Sequence, residues 1–150
     1  MNAITNIFKS YEGFSDVPLR LGLGSIFVAH GAQKLFGWFG GYGLEGTGQW
    51  MASIGLEPGY LMALAAGSME FFGGLFILLG LLTRAAALGA AVTMVVAIVS
   101  VHLENGFFLS NNGYEFGLAL LLMAVSLIVS GAGRVSVDAL LFGQHNTKNN

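Results

Sequence analysis

Five ionisable residues lie within or beside long apolar stretches of this sequence: His30, Lys34, Glu70, His102 and Glu115. An ionised side chain in the hydrocarbon core of a bilayer costs about 3 kcal/mol or more unless it is paired or faces a polar interior. Histidine exchanges protons near neutral pH, and a carboxyl group in apolar surroundings can do the same. These residues predict a polar site for proton-coupled chemistry or for binding a polar head group.

The depth of each side chain can be estimated from an inner level marked by three arginines: Arg20, Arg84 and Arg134. At about 1.5 Å of rise per residue, His30 lies roughly 15 Å above that level, and Lys34 and Glu70 lie roughly 21 Å above it. On the same scale of rise, His102 and Glu115 lie at roughly 27 to 28 Å. The polar residues are therefore predicted in the middle and outer half of a bilayer.

Several arrangements of these residues fit the estimated depths. Lys34 and Glu70 either form an ion pair that locks two helices together or belong to a binding site. His30 lies one helical turn from Lys34 on the same face, which favours a lined cavity. His102 and Glu115 form a solvated pair at the interface or take part in the chemistry. Gln33 either hydrogen-bonds to a neighbouring polar group without a role in binding, or it contributes to the site.

Haem and metal sites fit the pattern poorly. His30 and His102 differ in estimated depth by roughly 12 Å, which is too far for one iron. A di-iron bundle needs about four carboxylates, with Glu-x-x-His pairs on two helices. This sequence contains no Glu-x-x-His pair. Cysteine is absent, which excludes disulfides and thiolate metal sites. We expect no haem or metal, although a mixed site of two histidines and two glutamates stays conceivable.

A quinone head group fits the same residues better. It needs a hydrogen-bond donor or proton acceptor near each carbonyl group, apolar walls and access from the lipid. His30 and Glu70 are predicted to exchange protons, while Lys34 and Gln33 bind head-group oxygens and His102 and Glu115 connect the site to the outer surface. The predicted aromatic walls are Phe36, Phe71 and Phe72. Another lipidic ligand would be accommodated by the same groups.

Composition places the chain among membrane proteins. Its 150 residues are 55% apolar and only 9% charged, whereas about a quarter of residues are charged in soluble proteins. The length allows one domain, predicted over residues 1–142, followed by a disordered tail at 143–150. The sequence contains no cluster of basic residues that would indicate binding to nucleic acid. The expected partners are the lipid bilayer, the quinone and a protein partner or a second copy of the chain.

Apolar runs predict an all-α bundle of four transmembrane helices. The predicted spans are 18–39, 60–82, 84–102 and 114–130. Apolar residues at helical spacing before Pro18 suggest an additional amphipathic helix in the membrane interface, and a frayed tail is the alternative. Glycines within the spans would let helices approach closely and make a homo-oligomer plausible.

The distribution of lysine and arginine predicts the orientation. The loops at 40–59 and 103–113 contain no basic residue, whereas five of the six lysines and arginines lie on the opposite side of the predicted bundle: Lys9, Arg20, Arg84, Arg134 and Lys148. By the positive-inside rule both termini are cytoplasmic and these two loops face outward. Trp38, Tyr42 and Trp50 belong to the aromatic belt expected at the outer boundary. The predicted location is the cell inner membrane, as a multi-pass protein.

Five motifs follow one another along the chain: HGAQKLFG at 30–37, MEFFGG at 69–74, LGLLTR at 79–84, NGYE at 112–115 and GAGRVSVD at 131–138. Their order resembles the DoxX family of small four-helix membrane proteins, and the resemblance covers residues 20–141. Relatives in that family include a membrane subunit of thiosulfate:quinone oxidoreductase and proteins tied to quinone stress. The resemblance implies a quinone-interacting membrane subunit, but fold-level analogy alone does not establish an activity.

Two main hypotheses follow. In the first, the chain binds quinone or quinol and supports a redox reaction at the outer half of the cytoplasmic membrane. In the second, it is a non-catalytic scaffold or partner-docking subunit of a redox or stress-response complex, in which the polar residues only pair with one another. A small transporter or lipid-binding protein is a third possibility. Whether the chain is an enzyme is left open by its sequence.

Overall fold

The computed structural model of the chain describes residues 14–142, and this part is all-helical. Its helices are α1 (Asp16–Phe36), α2 (Gly43–Ser53), α3 (Gly59–Leu79), α4 (Thr83–Ala97), α5 (Glu115–Ser130) and α6 (Val137–Phe142). A π-helical turn, Ile98–His102, and a 3₁₀ turn, Leu103–Asn105, prolong α4. The predicted interfacial segment before Phe14 and the predicted disordered tail lie outside the described residues.

Glycines end two of the long helices. Gly37 follows α1 in the left-handed conformation (φ 70°), and its N–H bonds to the carbonyl oxygen of Ala32. Gly80 follows α3 in the left-handed conformation as well (φ 67°), and its N–H bonds to the carbonyl oxygen of Ile77 at 3.1 Å. Left-handed glycines terminate helices because they carry no Cβ to clash with the backbone. The first helix therefore ends at Phe36, three residues before the predicted end of that span.

The segment between α1 and α3 contains a helix that the sequence pattern did not predict. α2 has three glycines within eleven residues, and glycine disfavours helix by about 1 kcal/mol relative to alanine. Packing against α3 holds it in place. A Cβ at Gly48 would lie only 3.0 Å from the Cα of Tyr60, so glycine permits the close approach of α2 to the start of α3.

Two helix pairs, α1 with α3 and α4 with α5, form most of the bundle. The first pair is closely packed at Gly31, where a Cβ would overlap the backbone of Phe71. The second pair is lined by small residues, including Ala87, Ala90 and Ala124, all of which are fully buried. Small residues let helix backbones come close together. In lipid this close packing holds helices together, because burying apolar side chains gives no driving force for association there.

The buried guanidinium group of Arg20 closes the end of the bundle opposite α2. Its nitrogens donate to the carbonyl oxygens of Ile77 (3.0 Å), Leu78 (3.0 Å), Ala132 (2.7 Å) and Val135 (2.6 Å). Arg20 is only 5% exposed. The side chain thus binds carbonyls at the end of α3 and in the segment that follows α5, and with α1 it ties three segments together.

Two of the described helical segments are long and apolar enough to cross a membrane. They are Gly59–Leu79, with mean hydropathy 1.8, and Thr83–Asn105, with mean hydropathy 2.2. α1 has the same length as the first of these, 21 residues, but is less apolar. α5 is strongly apolar and has 16 residues. Length and composition alone therefore mark two clear candidates for spans.

Candidate functional site

A cavity of about 140 Å³ lies where α1 and α4 end and α5 begins. We call it the site cavity. Four polar side chains that the sequence singled out line it: His30, Lys34, Glu70 and His102. Its apolar lining includes Ile26, Phe27, Met94, Phe116 and Leu120. The folded chain therefore brings together polar groups from α1, α3 and the π-helical end of α4 against a largely apolar wall.

The helical period explains why α1 contributes a stripe of residues to the cavity. Ile26, His30 and Lys34 are spaced four residues apart, so their side chains lie above one another on one face. The neighbouring face of α1 meets α3, and Gly31 and Gly67 allow the two helices to approach there. The polar end of the stripe thus lies beside Glu70.

Lys34 and Glu70 form an ion pair between α1 and α3. The Nζ atom of Lys34 donates to Oε2 of Glu70 at 2.5 Å. Glu70 is 4% exposed, so this carboxylate has its charge partner within a nearly dry interior. Its other oxygen, Oε1, accepts no hydrogen bond from the described residues. The carboxylate thus has one oxygen free to accept a bond from a ligand in the site cavity.

His102 has a defined orientation. Its Nδ1 atom lies 2.8 Å from the carbonyl oxygen of Asn112. Because a carbonyl oxygen only accepts hydrogen bonds, Nδ1 must carry the proton. In the neutral ring the Nε2 atom is then the unprotonated acceptor. The bond fixes both the direction of the ring and the tautomer.

His30 lies where the site cavity meets the surface of the bundle. It is exposed, as is Phe116 on α5, and both residues line the cavity. Its ring makes no hydrogen bond to another described side chain or backbone group. The cavity therefore opens sideways between α1 and α5, and the His30 ring is available to a ligand there.

The other predicted site residues lie outside this cavity. Glu115 Oε1 accepts a bond from the backbone N–H of Leu109 at 2.5 Å and so braces the preceding loop. Phe36, Phe71 and Phe72 form an aromatic cluster, with ring centroids 5.2 Å apart for Phe36 and Phe71 and 5.3 Å apart for Phe71 and Phe72. Each residue turns the helix by about 100°, so the two residues after Glu70 face away from it.

Gln33 lines a second, larger cavity of about 510 Å³ beside α2. Its Nε2 atom donates to the carbonyl oxygen of Phe39 at 3.3 Å. Lys34 lines this second cavity as well as the site cavity. Gln33 is therefore a neighbour of the site, separated from it by Lys34.

The chain matches the family model DoxX over residues 15–103. The chain belongs to the DoxX family. A Bacillus subtilis protein named "Putative oxidoreductase CatD" is 34% identical over 89% of this chain and 91% of its own length. The inner membrane protein YqjF of Escherichia coli is 34% identical over 89% of this chain and 96% of its own length.

A Mycobacterium tuberculosis relative, "Uncharacterized membrane protein Rv3486", is 34% identical over 85% of this chain and 81% of its own length. No solved structure matches the chain. The family resemblance predicted from the motifs is thus confirmed. The relatives' names also support a membrane environment, and this DoxX chain is a membrane protein.

The apolar walls of the site in this DoxX chain were missed by the sequence interpretation. Phe27, Met94, Phe116 and Leu120 take the place expected for Phe36, Phe71 and Phe72. Helical spacing contains part of the signal, because Phe116 and Leu120 are one turn apart on α5 and Phe27 is one residue from the Ile26–His30 stripe. Which helix faces α1 depends on tertiary packing that this spacing does not encode.

No group of three or more His, Asp or Glu side chains within residues 14–142 is arranged to hold a metal ion. The expectation that the chain binds neither haem nor metal stays a prediction. The donor set of the site cavity, two imidazoles and an ammonium–carboxylate pair, suits hydrogen bonding to an organic head group.

Proposed function

We propose that this chain is a membrane subunit that binds quinone or quinol in the site cavity and supports a redox reaction at the outer half of the cytoplasmic membrane. The observation behind the proposal is the gathering of His30, Lys34, Glu70 and His102 in one otherwise apolar cavity. Polar groups converging in an apolar pocket are the usual form of a small-molecule site. The name of the Bacillus subtilis relative, an oxidoreductase, agrees with this function.

The size and opening of the cavity suit a quinone. Its volume of about 140 Å³ matches the roughly 150 Å³ that accommodates a benzene-sized ring. The sideways opening between His30 and Phe116 would leave an isoprenoid tail in the lipid. A ring inside and a tail outside is the arrangement that a lipid-soluble carrier requires.

Each polar group has a role in this proposal. The Lys34 ammonium has three donors and uses one on Glu70, so another can orient a head-group oxygen. His30 and the free oxygen of Glu70 accept or return protons. The Nε2 atom of His102, unprotonated in the neutral ring, accepts a bond from a hydroxyl group. Bound quinone would supply the two-electron chemistry, and the chain has no cysteine for a thiol redox centre.

We place all four long helices, α1, α3, α4 and α5, across the inner membrane with both termini in the cytoplasm. At about 1.5 Å per residue, the 21 residues of α1 give roughly 31 Å, which is enough to cross the hydrocarbon core. The ends of α5 extend into the Tyr114 and Gly131 caps. The loops without basic residues then face outward. A protein partner or a second copy would complete the electron path.

Mass spectrometry of organic extracts from the detergent-purified protein tests this function. Wild type is compared with His30→Ala and Glu70→Gln, and Glu115→Gln is the matched control because Glu115 lies outside the site cavity. We expect stoichiometric quinone in wild type and Glu115→Gln and its loss from the other two. Folded samples that all lack quinone would contradict the proposal.

The alternative function is a non-catalytic scaffold, and the direct Lys34–Glu70 contact favours it. The exchange Lys34→Glu with Glu70→Lys keeps the ion pair but reverses the groups that face the cavity. A scaffold should keep its partners and stability after the exchange, because only the pairing matters. A quinone site should lose its quinone. Copurified quinone and partner proteins, measured on the same exchanged protein, separate the two functions.

A further inference from the structure

The second cavity, which we call the outer cavity, has a polar lining. Its volume is about 510 Å³, and it is bounded by Gln33 and Lys34 of α1, by Tyr42, and by Thr47 and Trp50 of α2. Glycines at 40, 41 and 46 complete the lining. A space of this size with several hydrogen-bonding groups is suited to water.

Thr47 provides an independent sign that the outer cavity is hydrated. Its residue is 6% exposed, yet its hydroxyl group makes no hydrogen bond to any described residue. A helical threonine commonly bonds to the carbonyl four residues earlier, as Thr93 does with Gly89 at 2.9 Å. The Thr47 oxygen is not fully buried, because the one fully buried side-chain oxygen or nitrogen without a partner among the described residues is Oγ1 of Thr83, so the Thr47 hydroxyl group is open to the outer cavity that it lines. A water molecule in the outer cavity would satisfy it.

Lys34 is the side chain, among the described residues, that lines both the outer cavity and the site cavity. The opposite end of the site cavity is closed. Buried apolar residues, including Leu23, Ile77 and Leu127, pack between it and the Arg20 cluster. Interiors packed in this way have few voids that could hold water. Apart from the sideways opening between α1 and α5, the site cavity therefore leads toward the end of the bundle that carries α2 and the loop before α5.

We infer that the outer cavity is a water-filled vestibule through which the site cavity exchanges protons with the aqueous phase on the α2 side, by way of Lys34. Its ammonium has donors left after bonding to Glu70, so water in the vestibule can contact it. The groups served are His30, Glu70 and His102. This connection belongs to the protein itself and stands whether or not a quinone occupies the site cavity.

Cysteine accessibility tests the inference, since the chain has no cysteine of its own. Silver ion, which is small and does not cross lipid readily, is added to one side of a sealed membrane holding His30→Cys protein depleted of quinone. Unreacted thiol is then measured with a maleimide after denaturation. Gln49→Cys, exposed on α2, identifies the α2 side in a parallel sample. Leu88→Cys, on the lipid-facing surface of α4, is the unreactive control.

Silver from the α2 side should protect His30→Cys, and silver from the other side should not. Adding Thr47→Trp to fill the vestibule should slow the reaction at least tenfold, whereas Thr47→Val, which keeps the space, should leave it within about twofold. Gly46→Leu is a second plug if Thr47→Trp does not fold. Access from the side opposite α2, or plugs without effect in folded protein, would overturn the inference. Quinone content is measured separately, so failure of the proposed function is a distinct result.

Discussion

At the scale of single residues, the Lys34–Glu70 pair is the clearest link between sequence and structure. Its formation was one of two outcomes that the depth estimate allowed, and both residues come from regular helices for which rise per residue holds. The same estimate separated His30 from His102 by roughly 12 Å of depth. Both nevertheless line one cavity, because side chains extend along the axis and the π-helical turn Ile98–His102 departs from regular rise.

The partners of Glu115 and His102 could not be predicted from sequence. Both bond to backbone atoms of the loop between α4 and α5, at Leu109 and Asn112. The path of that loop depends on Gly106 (φ 79°) and on Asn112 itself (φ 59°). Helical periodicity does not predict the path of irregular backbone. A direct pair between His102 and Glu115, one of the two alternatives that the sequence left open, does not form, because each side chain bonds to the loop backbone instead.

Breaking the ion pair from either side should destabilise the fold. Lys34→Met leaves the Glu70 carboxylate buried without its partner, and Glu70→Gln leaves the Lys34 ammonium unpaired. We expect each single change to cost about 3 kcal/mol in the free energy of unfolding. The double variant should cost less than the sum, because neither charge then remains. Denaturant unfolding in detergent measures all three, and strictly additive losses would show that the pair contributes nothing.

Asp138 should make stability depend on pH. Burial would raise its pKa, but bonds from the backbone N–H groups of Thr83 and Leu82 and the nearby Arg20 charge lower the pKa below its usual range. The stabilisation is therefore complete above the unfolded-state pKa of about 3.9 and is lost as pH falls through the lower folded-state pKa.

Asp138→Ala should cost about 1 kcal/mol at neutral pH, the usual value of a helix cap. The difference from wild type should shrink below about pH 4 as the native carboxylate is protonated. Glu104→Ala, in the exposed 3₁₀ turn that follows α4, is the matched control and should change stability little. Thermal unfolding across pH 3 to 7 gives the comparison. A difference that is constant with pH would contradict this role.

At the scale of elements, glycine decides how close helices approach. Gly31→Ala places a methyl group against the backbone of Phe71 and should force α1 away from α3. We expect about 1 to 3 kcal/mol of destabilisation, the usual cost of overpacking, together with weakened quinone retention. Gly22→Ala is the control on the same helix, because its Cβ would meet only the flexible end of Met123 at 3.2 Å. Equal effects of both changes would exclude this explanation.

Helix identity was easier to predict than helix ends. The four predicted spans correspond to α1, α3, α4 and α5, because long apolar runs mark them in the sequence. α2 was missed because its glycines disfavour helix and only contact with α3 overrides that preference. The Arg20 cluster was missed for a related reason, since its acceptors come from two segments that are far from Arg20 in the sequence, the end of α3 and the residues after α5.

At the scale of the whole molecule, the proposed topology can be read from one labelling experiment. Ser110→Cys lies in the loop before α5 and Arg134→Cys lies beyond the end of α5, and both positions are exposed. An impermeant maleimide applied to the outside of intact cells should label the first and spare the second until the membrane is opened. Labelling of both from outside, or of Arg134→Cys alone, would contradict the proposed four-span orientation.

The central claim, a quinone in the site cavity, is tested most directly by photoaffinity labelling with an azidoquinone, mapped by mass spectrometry. We predict cross-links within residues 26–34 and 94–120, removed by excess unlabelled quinone and absent from Glu70→Gln. Two lining segments from distant parts of the sequence would then meet at one ligand. Labelling confined to the lipid-facing surface, or unaffected by the competitor, would contradict the account.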